Sequence, residues 1–381
     1  KKNMTIRIIE DNKKIILFSL IIISVISFLN TVSKGLVNGC DFQWQPAVLF
    51  WEGVNHYQKF IINGKGDFLC QNGEYAHLLH VLYYPFTLFS WEVARVLWLV
   101  VNIFFIFLIP LLICRSLKLT KYKTIVLLLI FITCYPSRMT LNYGQQSLFV
   151  LFFMILPFIS NNTFSSIFSG FSYVKYSSGY IIFLNFLASK QYRYFFLASI
   201  PYLIGWIFYF TLTNTDPLIN FFEPIKLSLK NGYIRDADLF SLINIYFLST
   251  KGLYIKVIIL LFILFLNLLL LLKINKNNDN LFKMSLVLVC PLIFFPHSNY
   301  DYVLLFPLLC YSFMNNRYLI NKINIYFILY FFYFNRIVNH LIDFDVLYQP
   351  ILLIFTILLL LTNIYSYKNK DNLYLFKLRF F

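Results

Sequence analysis

Residues 92–114 read EVARVLWLVVNIFFIFLIPLLIC, and residues 253–272 read LYIKVIILLFILFLNLLLLL. Each run can cross the roughly 30 Å of hydrocarbon in a bilayer as a helix, for which about 20 apolar residues are needed. Shorter apolar runs, separated by polar residues, recur along the rest of the chain. Of the 381 residues, 60% are hydrophobic and 13% are charged, and the mean hydropathy is +0.71. This composition excludes a soluble protein of this length.

The apolar runs predict an all-α polytopic membrane protein with about twelve short transmembrane helices. Helices are the expected spanning elements because lipid offers backbone groups no hydrogen-bond partners. We expect residues 1–381 to form a single integral membrane domain. The predicted spans are 15–33, 92–114, 124–135, 145–159, 164–175, 178–188, 194–212, 253–272, 281–295, 302–313, 323–334 and 350–367.

The distribution of charge predicts the orientation of these helices. When both termini are placed in the cytoplasm, most lysines and arginines fall on inner segments and most acids on outer ones, as the positive-inside rule requires. The long outer loops are then 34–91 and 213–251, and we expect them to form an extracytoplasmic cap over an active site. Parts of them, such as 48–60, are amphipathic and suit the membrane surface. The net charge of +16 does not indicate nucleic-acid binding, because the basic residues are spread over the loops.

A carboxylate follows the first predicted helix, in the stretch Gly39-Cys40-Asp41-Phe42. Partial cover by apolar groups favours proton uptake by a carboxylate, which suits a general base. The alternative interpretation of Asp41 is a solvated loop acid. Cys40 and Cys70 lie in the same outer loop, where a disulfide can persist, and the sequence leaves open whether they are bonded.

Positive side chains on the outer side are candidates for binding a phosphate group. Lys175 lies between two apolar runs, where an ammonium either has an anionic partner or snorkels to the interface. The full set of candidates is Arg138, Lys175, Arg235, His297, Arg336 and His340.

Several short motifs follow one another in a fixed order along the chain. They are Asp41-Phe42 with Ala47, Gly53, Asn55 and Tyr57; Glu74-Tyr75; Tyr84-Pro85-Phe86; Leu97-Trp98 with Asn102; Gly144-Gln145; Gly170 with Lys175; and the loop from Pro296 to Asp301. Together they resemble the DUF2029 or glycosyltransferase 87 family, whose members are polyprenol-phosphate-mannose-dependent transferases of the GT-C fold. The chain departs from the family at His56, where a proline is usual, and after Ser298, where a Trp and a His are usual.

The resemblance implies a GT-C-like bundle whose long first outer loop bears interfacial helices. It implies inverting transfer of a mannose-like hexose from a polyprenyl-phosphate donor to a glycan or glycolipid acceptor, at the outer face of a bacterial inner membrane. Asp41 matches the position of the family's catalytic base. No cofactor is implied, and a role for a divalent ion stays open. The remaining site residues that we expect are Lys175, Arg138 and His297 for the donor phosphate, and Glu74, Tyr75, Gln145 and Asp301 for positioning the acceptor or the loops.

Two patterns resemble metal sites but lack enough ligands. His77 and His80 are three residues apart with no third ligand at metal spacing, so we interpret them as interfacial histidines with hydrogen-bond partners. The strings Asp236-Ala-Asp238 and Asp343-Phe-Asp345 carry little information, and we expect both to be solvated loops.

Two other functions are compatible with a polytopic chain. A transporter or flippase for lipid-linked sugars should have internal repeats and ionisable residues near the midplane of the membrane. The sequence has no repeat, and its ionisable residues lie at the ends of the apolar runs. A non-enzymatic scaffold is the second alternative, and no positive feature indicates it.

Overall fold

The computed structural model describes residues 2–63, 75–231, 238–243, 253–315, 318–335 and 345–368. Every regular element within these ranges is helical, which confirms the all-α prediction. The α-helices are α1 (Lys2–Gly35), α2 (Trp44–Trp51), α3 (His56–Asn63), α4 (His77–Leu82), α5 (Tyr84–Thr87), α6 (Trp91–Ser116), α7 (Lys121–Thr133), α8 (Tyr135–Tyr143), α9 (Ser147–Ile159), α10 (Thr163–Ser169), α11 (Tyr176–Ala188), α12 (Tyr192–Leu212), α13 (Pro217–Asn231), α14 (Leu239–Ile243), α15 (Leu253–Ile274), α16 (Asn280–Val287), α17 (Cys290–Phe294), α18 (Phe306–Met314), α19 (Leu319–Leu329) and α20 (Asp345–Lys368). Short 3₁₀ turns occupy Gly170–Val174 and Asn299–Leu305, and a π turn occupies Tyr330–Phe334.

Four helices are long and apolar enough to cross a membrane, and they lie in α1, α6, α12 and α15. Helices α7 and α8 form a fifth span if they are counted as one broken element. The predicted count of about twelve is therefore not confirmed. Many of the predicted spans coincide with apolar helices of only 10–17 residues, such as α9 and α11.

The break between α7 and α8 has a local cause. Pro136 occupies the first turn of α8, and the residue two before it, Cys134, is extended with φ −63° and ψ 144°. A proline has no N–H to donate, and its ring would clash with the carbonyl four residues earlier if the helix continued through it. The two helices are consequently bent by 51° relative to each other.

Among the four long helices, α6 is the most buried. Of its apolar window 44% is buried, against 11% for α1 and 17% for α15. The exposed apolar surface of α1 and α15 is the surface that lipid would cover.

Between α1 and α6 the described part of the chain forms the short helices α2–α5. The indole Nε1 of Trp44 donates to the carbonyl of Phe86 at 3.1 Å, and that of Trp51 donates to the carbonyl of His80 at 3.0 Å. These bonds satisfy buried polar groups and fix α2 against α4 and α5.

Candidate active site

The short 144–147 segment joins α8 to α9. Its residues contact most of the polar groups of the candidate site. Gly144 ends α8 in the left-handed conformation, with φ 69° and ψ 31°. This conformation favours glycine and is common at helix C-termini. The indole of Trp98 donates to the Gly144 carbonyl at 2.8 Å, so the turn is anchored to α6.

Asp41 lies directly beside this segment. Its backbone N–H donates to the carbonyl of Tyr143 at 2.8 Å, and its carbonyl accepts from Nε2 of Gln146 at 3.1 Å. The same Gln146 amide donates to the hydroxyl of Tyr83 at 3.0 Å. Asp41 is half-buried. Both backbone groups of the candidate base are therefore held by the end of α8 and the start of α9.

The aromatic ring of Phe42, the residue after Asp41, also packs next to Gly144. Phe42 is fully buried and stacks on Trp98, with ring centroids 5.6 Å apart and planes 7° apart. A Cβ atom on Gly144 would lie 3.0 Å from the Cβ of Phe42. A glycine at this position therefore lets the first outer loop approach α8 closely.

Gln145 connects the segment to the residues just before α4. Its side-chain oxygen accepts from the hydroxyl of Tyr75 at 2.9 Å, and the carbonyl of Tyr75 accepts from the hydroxyl of Tyr57 at 2.6 Å. The next N–H along the chain, that of Ala76, donates to the carbonyl of Val174 at 3.1 Å. Tyr75 and Gln145 are thus paired, and they lie beside the residue that precedes Lys175.

Lys175 forms a buried ion pair with Asp301. Its Nζ lies 2.5 Å from Oδ1 and 2.7 Å from Oδ2 of Asp301, and the two residues are 8% and 2% exposed. The hydroxyl of Ser147 donates to Oδ1 of Asp301 at 2.7 Å. Lys175 therefore has an anionic partner, and the alternative of snorkelling is wrong.

The loop that carries Asp301 is itself capped. The N–H of Ser298 donates to Oδ2 of Asp301 at 3.0 Å, in a capping box that opens the 3₁₀ turn. His297 precedes this box and is 8% exposed. Burial lowers the pKa of His297 to about 4. At neutral pH the buried imidazole is therefore uncharged.

Arg138 lies on α8 and is half-buried, but no hydrogen bond or ion pair joins it to Lys175 or Asp301 among the described residues. Its Nε is buried and has no hydrogen-bond partner within the same ranges. A buried guanidinium N–H without a partner is costly unless a further acceptor, such as an anion, reaches it.

Several predicted residues fall outside the described ranges: Glu74, Arg235, Arg336 and His340, together with Asp236 and Asp343. The same holds for Cys70. Cys40 is disulfide-bonded, whereas Cys114, Cys134, Cys290 and Cys310 are free. The sequence leaves open whether Cys40 is bonded to Cys70, and Cys70 lies outside the described residues.

His77 binds the Asn220 carbonyl at 3.1 Å, as predicted for a histidine with a hydrogen-bond partner, and His80 is fully buried. The interpretation of Asp238 as a solvated loop residue is wrong. Asp238 is fully buried, not solvated, and its Oδ1 accepts from the N–H of Ser241 at 2.8 Å. No group of three potential metal ligands occurs in the part of the chain that the structure describes.

An apolar cavity of about 120 Å³ lies next to the segments that carry Lys175 and His297. Tyr176 and Pro296, the chain neighbours of these two residues, are in its wall, together with Leu260 and Leu264 of the long apolar helix α15. The cavity therefore lies between the segments that carry two of the candidate site residues and a helix that is long and apolar enough to cross a membrane.

The fold and these contacts define a helical membrane protein with a polar site where the segment between α1 and α2 meets the start of α9. The chain belongs to glycosyltransferase family 87, whose model matches residues 75–296. It is accordingly a membrane glycosyltransferase. The match includes Tyr75, Gln145 and Lys175, whereas Asp41 and Asp301 lie outside it. Comparison with curated proteins and with solved structures found no match.

Sequence reasoning missed Gln146 and Ser147. Gln146 binds the backbone of Asp41, and Ser147 binds Asp301. Their signal is the polar run Gln145-Gln146-Ser147 at the start of an apolar helix, where side chains of three consecutive residues point in different directions. One short turn can therefore contact three separate parts of the fold.

Proposed function

We propose that this glycosyltransferase transfers a hexose, mannose-like, from a polyprenyl-phosphate donor to a hydroxyl of a glycan or glycolipid, with inversion. The observation that carries the proposal is the 144–147 segment. Its three consecutive polar residues bind Tyr75, Asp41 and the Lys175–Asp301 pair. A candidate base and a buried cation are thereby fixed to one turn of backbone.

In the proposed step, the carboxylate of Asp41 removes the proton of the acceptor hydroxyl. The acceptor oxygen forms a bond to the anomeric carbon while the bond from that carbon to the phosphate oxygen breaks. The electron pair leaves with the polyprenyl phosphate. One displacement inverts the anomeric centre and needs one base.

The leaving phosphate would be bound by Lys175, Arg138 and His297, each in a different way. Lys175 is already oriented by Asp301, so its charge is fixed before the donor arrives. Arg138 contributes the buried Nε that lacks a partner among the described residues. His297, neutral at pH 7, contributes a hydrogen bond. We assign Tyr75, Gln145 and Asp301 to positioning.

The apolar cavity beside Tyr176 and Pro296 supports a lipid-linked donor over a nucleotide sugar. Its lining is aromatic and aliphatic, which suits an isoprenoid chain. We place the site on the extracytoplasmic face of a bacterial inner membrane, under the outer loops 34–91 and 213–251, with both termini in the cytoplasm. Membrane lipids surround the exposed helices.

A donor panel tests this function. Purified protein in lipid nanodiscs is incubated with polyprenyl-phosphate hexoses or with nucleotide sugars, and the product is analysed by NMR for the configuration of the new bond. We expect transfer from the lipid-linked donors only, with an inverted anomeric centre. Transfer from nucleotide sugars, or retention of configuration, would contradict the proposal.

A further inference from the structure

The first part of helix α13, in the second outer loop, places its polar residues inward and most of its apolar residues outward. Leu218, Ile219 and Phe222 are 71%, 61% and 58% exposed. Asn220 and Glu223 are buried, at 0% and 4%, and further along the helix Leu227 is also buried, at 1%. The start of α13 therefore does not pack by a continuous apolar face, and polar contacts contribute to its position.

Glu223 makes these contacts through both carboxylate oxygens. Its Oε2 accepts from Nδ2 of Asn55 at 2.9 Å and from Nδ2 of Asn220 at 3.3 Å, and its Oε1 accepts from Nε2 of Gln58 at 2.9 Å. All the partners that the described residues offer are neutral amides. Hydrogen bonds to a carboxylate are short, directional and stronger than those between neutral groups. They fix one register of α13 against Asn55 and the start of α3.

The residues that follow Glu223 reach the apolar cavity. The carbonyl of Pro224 accepts from the hydroxyl of Tyr176 at 3.1 Å, and the side chain of Ile225 lines the cavity. Tyr176 is itself next to Lys175. The position of Glu223 therefore determines where one wall of the cavity lies relative to the ion pair.

We propose that Glu223 is a positioning residue that holds α13 as a wall of the apolar cavity and so sets the fit of the donor's lipid chain. That the cavity holds a lipid chain rests on the proposed function, whereas the role of Glu223 in holding α13 as the cavity wall does not. Because Glu223 touches neither the ion pair nor Asp41 among the described contacts, it acts through Pro224 and Ile225.

Two measurements on the full chain in nanodiscs test this inference. The first is the rate at which a water-soluble maleimide labels the cysteine of an Ile225→Cys variant. The labelling of the protein without this cysteine is subtracted as background. Glu223→Gln puts an amide N–H₂ against amide donors, so α13 should lose its register. We expect labelling of the Ile225→Cys protein to rise at least about tenfold, the ratio that corresponds to losing one charge-assisted bond.

The second measurement is steady-state transfer with a polyprenyl-phosphate hexose. Glu223→Gln should raise KM for the lipid donor about tenfold and leave kcat within about threefold, because it changes binding of the chain and not the reacting groups. Glu52→Gln, an exposed carboxylate at the end of α2, is the matched control and should change neither quantity.

A double variant in which the two hydrogen-bonding side chains are exchanged distinguishes a loss of positioning from a general loss of folding. Gln58→Glu combined with Glu223→Gln restores a carboxylate–amide contact with the partners reversed, and should recover at least part of the low labelling rate. If Glu223→Gln does not accumulate, Gln58→Leu removes one bond from an exposed side chain and should act in the same direction, more weakly.

Labelling within about twofold of the parent in Glu223→Gln overturns the inference, whatever the transfer assay gives. If the parent protein transfers no sugar from any lipid-linked donor, the proposed function fails, and the labelling rates alone still decide whether Glu223 holds the wall.

Discussion

The ammonium of Lys175 lies 2.5 Å and 2.7 Å from the two carboxylate oxygens of Asp301, and both side chains are buried. The pair connects the segment before α11 with the loop after α17. Ser147 at the start of α9 binds the same carboxylate. Three parts of the chain that are far apart in sequence are thus joined at one point, and Ser147 directly follows Gln146, whose amide binds the backbone of Asp41.

Breaking this pair should destabilise the protein strongly. Lys175→Met or Asp301→Asn leaves one buried charge without its partner, which costs about 3–5 kcal/mol. The double variant removes both charges and should be less destabilised than the sum of the single variants. Thermal midpoints of the detergent-solubilised proteins measure this coupling. Additive losses would show that the two residues act independently.

Gln146→Leu should impair catalysis without preventing folding. Gln146 holds the backbone carbonyl of Asp41, and a shift of the base by about 1 Å is enough to reduce the rate up to about a hundredfold. We expect kcat to fall and KM for the donor to stay within about threefold. Gln191→Leu, before α12, serves as a control. A variant with unchanged kcat would show that the contact does not position Asp41.

Gly144→Ala should be more damaging than the same change at another glycine of similar backbone conformation. Both Gly144 and Gly53 have positive φ, 69° and 78°, so each substitution costs about 1–2 kcal/mol of backbone strain. At Gly144 the new methyl group also presses on Phe42, at 3.0 Å, whereas at Gly53 the nearest atom among the described residues is the carbonyl oxygen of Leu212, at 3.4 Å. Thermal midpoints of the two variants test this difference. Equal losses would mean that the approach of Phe42 is not tight.

The sequence predicts the helical membrane class well because composition and apolar run length depend on local residues alone. It predicts the number of spans poorly. Pro136 breaks one apolar run into α7 and α8, and many other runs form helices of 10–17 residues. Length and hydropathy do not reveal how a short helix is placed in a bundle.

Some residues of the site could be predicted from the order of the motifs along the chain. Tyr75 and Gln145 prove to be paired, and Lys175 proves to be bonded to Asp301. The partners themselves could not be predicted, since 126 residues separate Lys175 from Asp301 along the chain. The partners of Glu223 could not be predicted for the same reason. Its carboxylate contacts Asn55 only because α13 folds back onto the part of the chain that holds Asn55.

Asp238 should make stability depend on pH. Burial raises the pKa of Asp238 from 3.8 to about 6, so the folded protein holds this proton more tightly than the unfolded chain. The contribution is complete below pH 4 and is lost as the pH rises through 6, a difference of up to about 3 kcal/mol. Asp238→Asn keeps an N-cap side chain for Ser241 but cannot ionise.

We therefore expect the thermal midpoint of Asp238→Asn to exceed that of the parent at pH 8, and the difference to shrink at pH 5. Melting curves in detergent at the two pH values measure it. A variant that is less stable than the parent by the same amount at both pH values would rule out ionisation of a buried Asp238.

The central claim is that Asp41 is the base of a lipid-linked sugar transfer, and one substitution tests it most directly. Asp41→Asn keeps the backbone contacts to Tyr143 and Gln146 but removes the proton acceptor. Transfer from a polyprenyl-phosphate hexose is measured in nanodiscs, beside Glu52→Gln as a control, with thermal midpoints to verify folding. We predict a loss in kcat of at least about a hundredfold at an unchanged midpoint. Turnover within about tenfold of the parent would contradict the account.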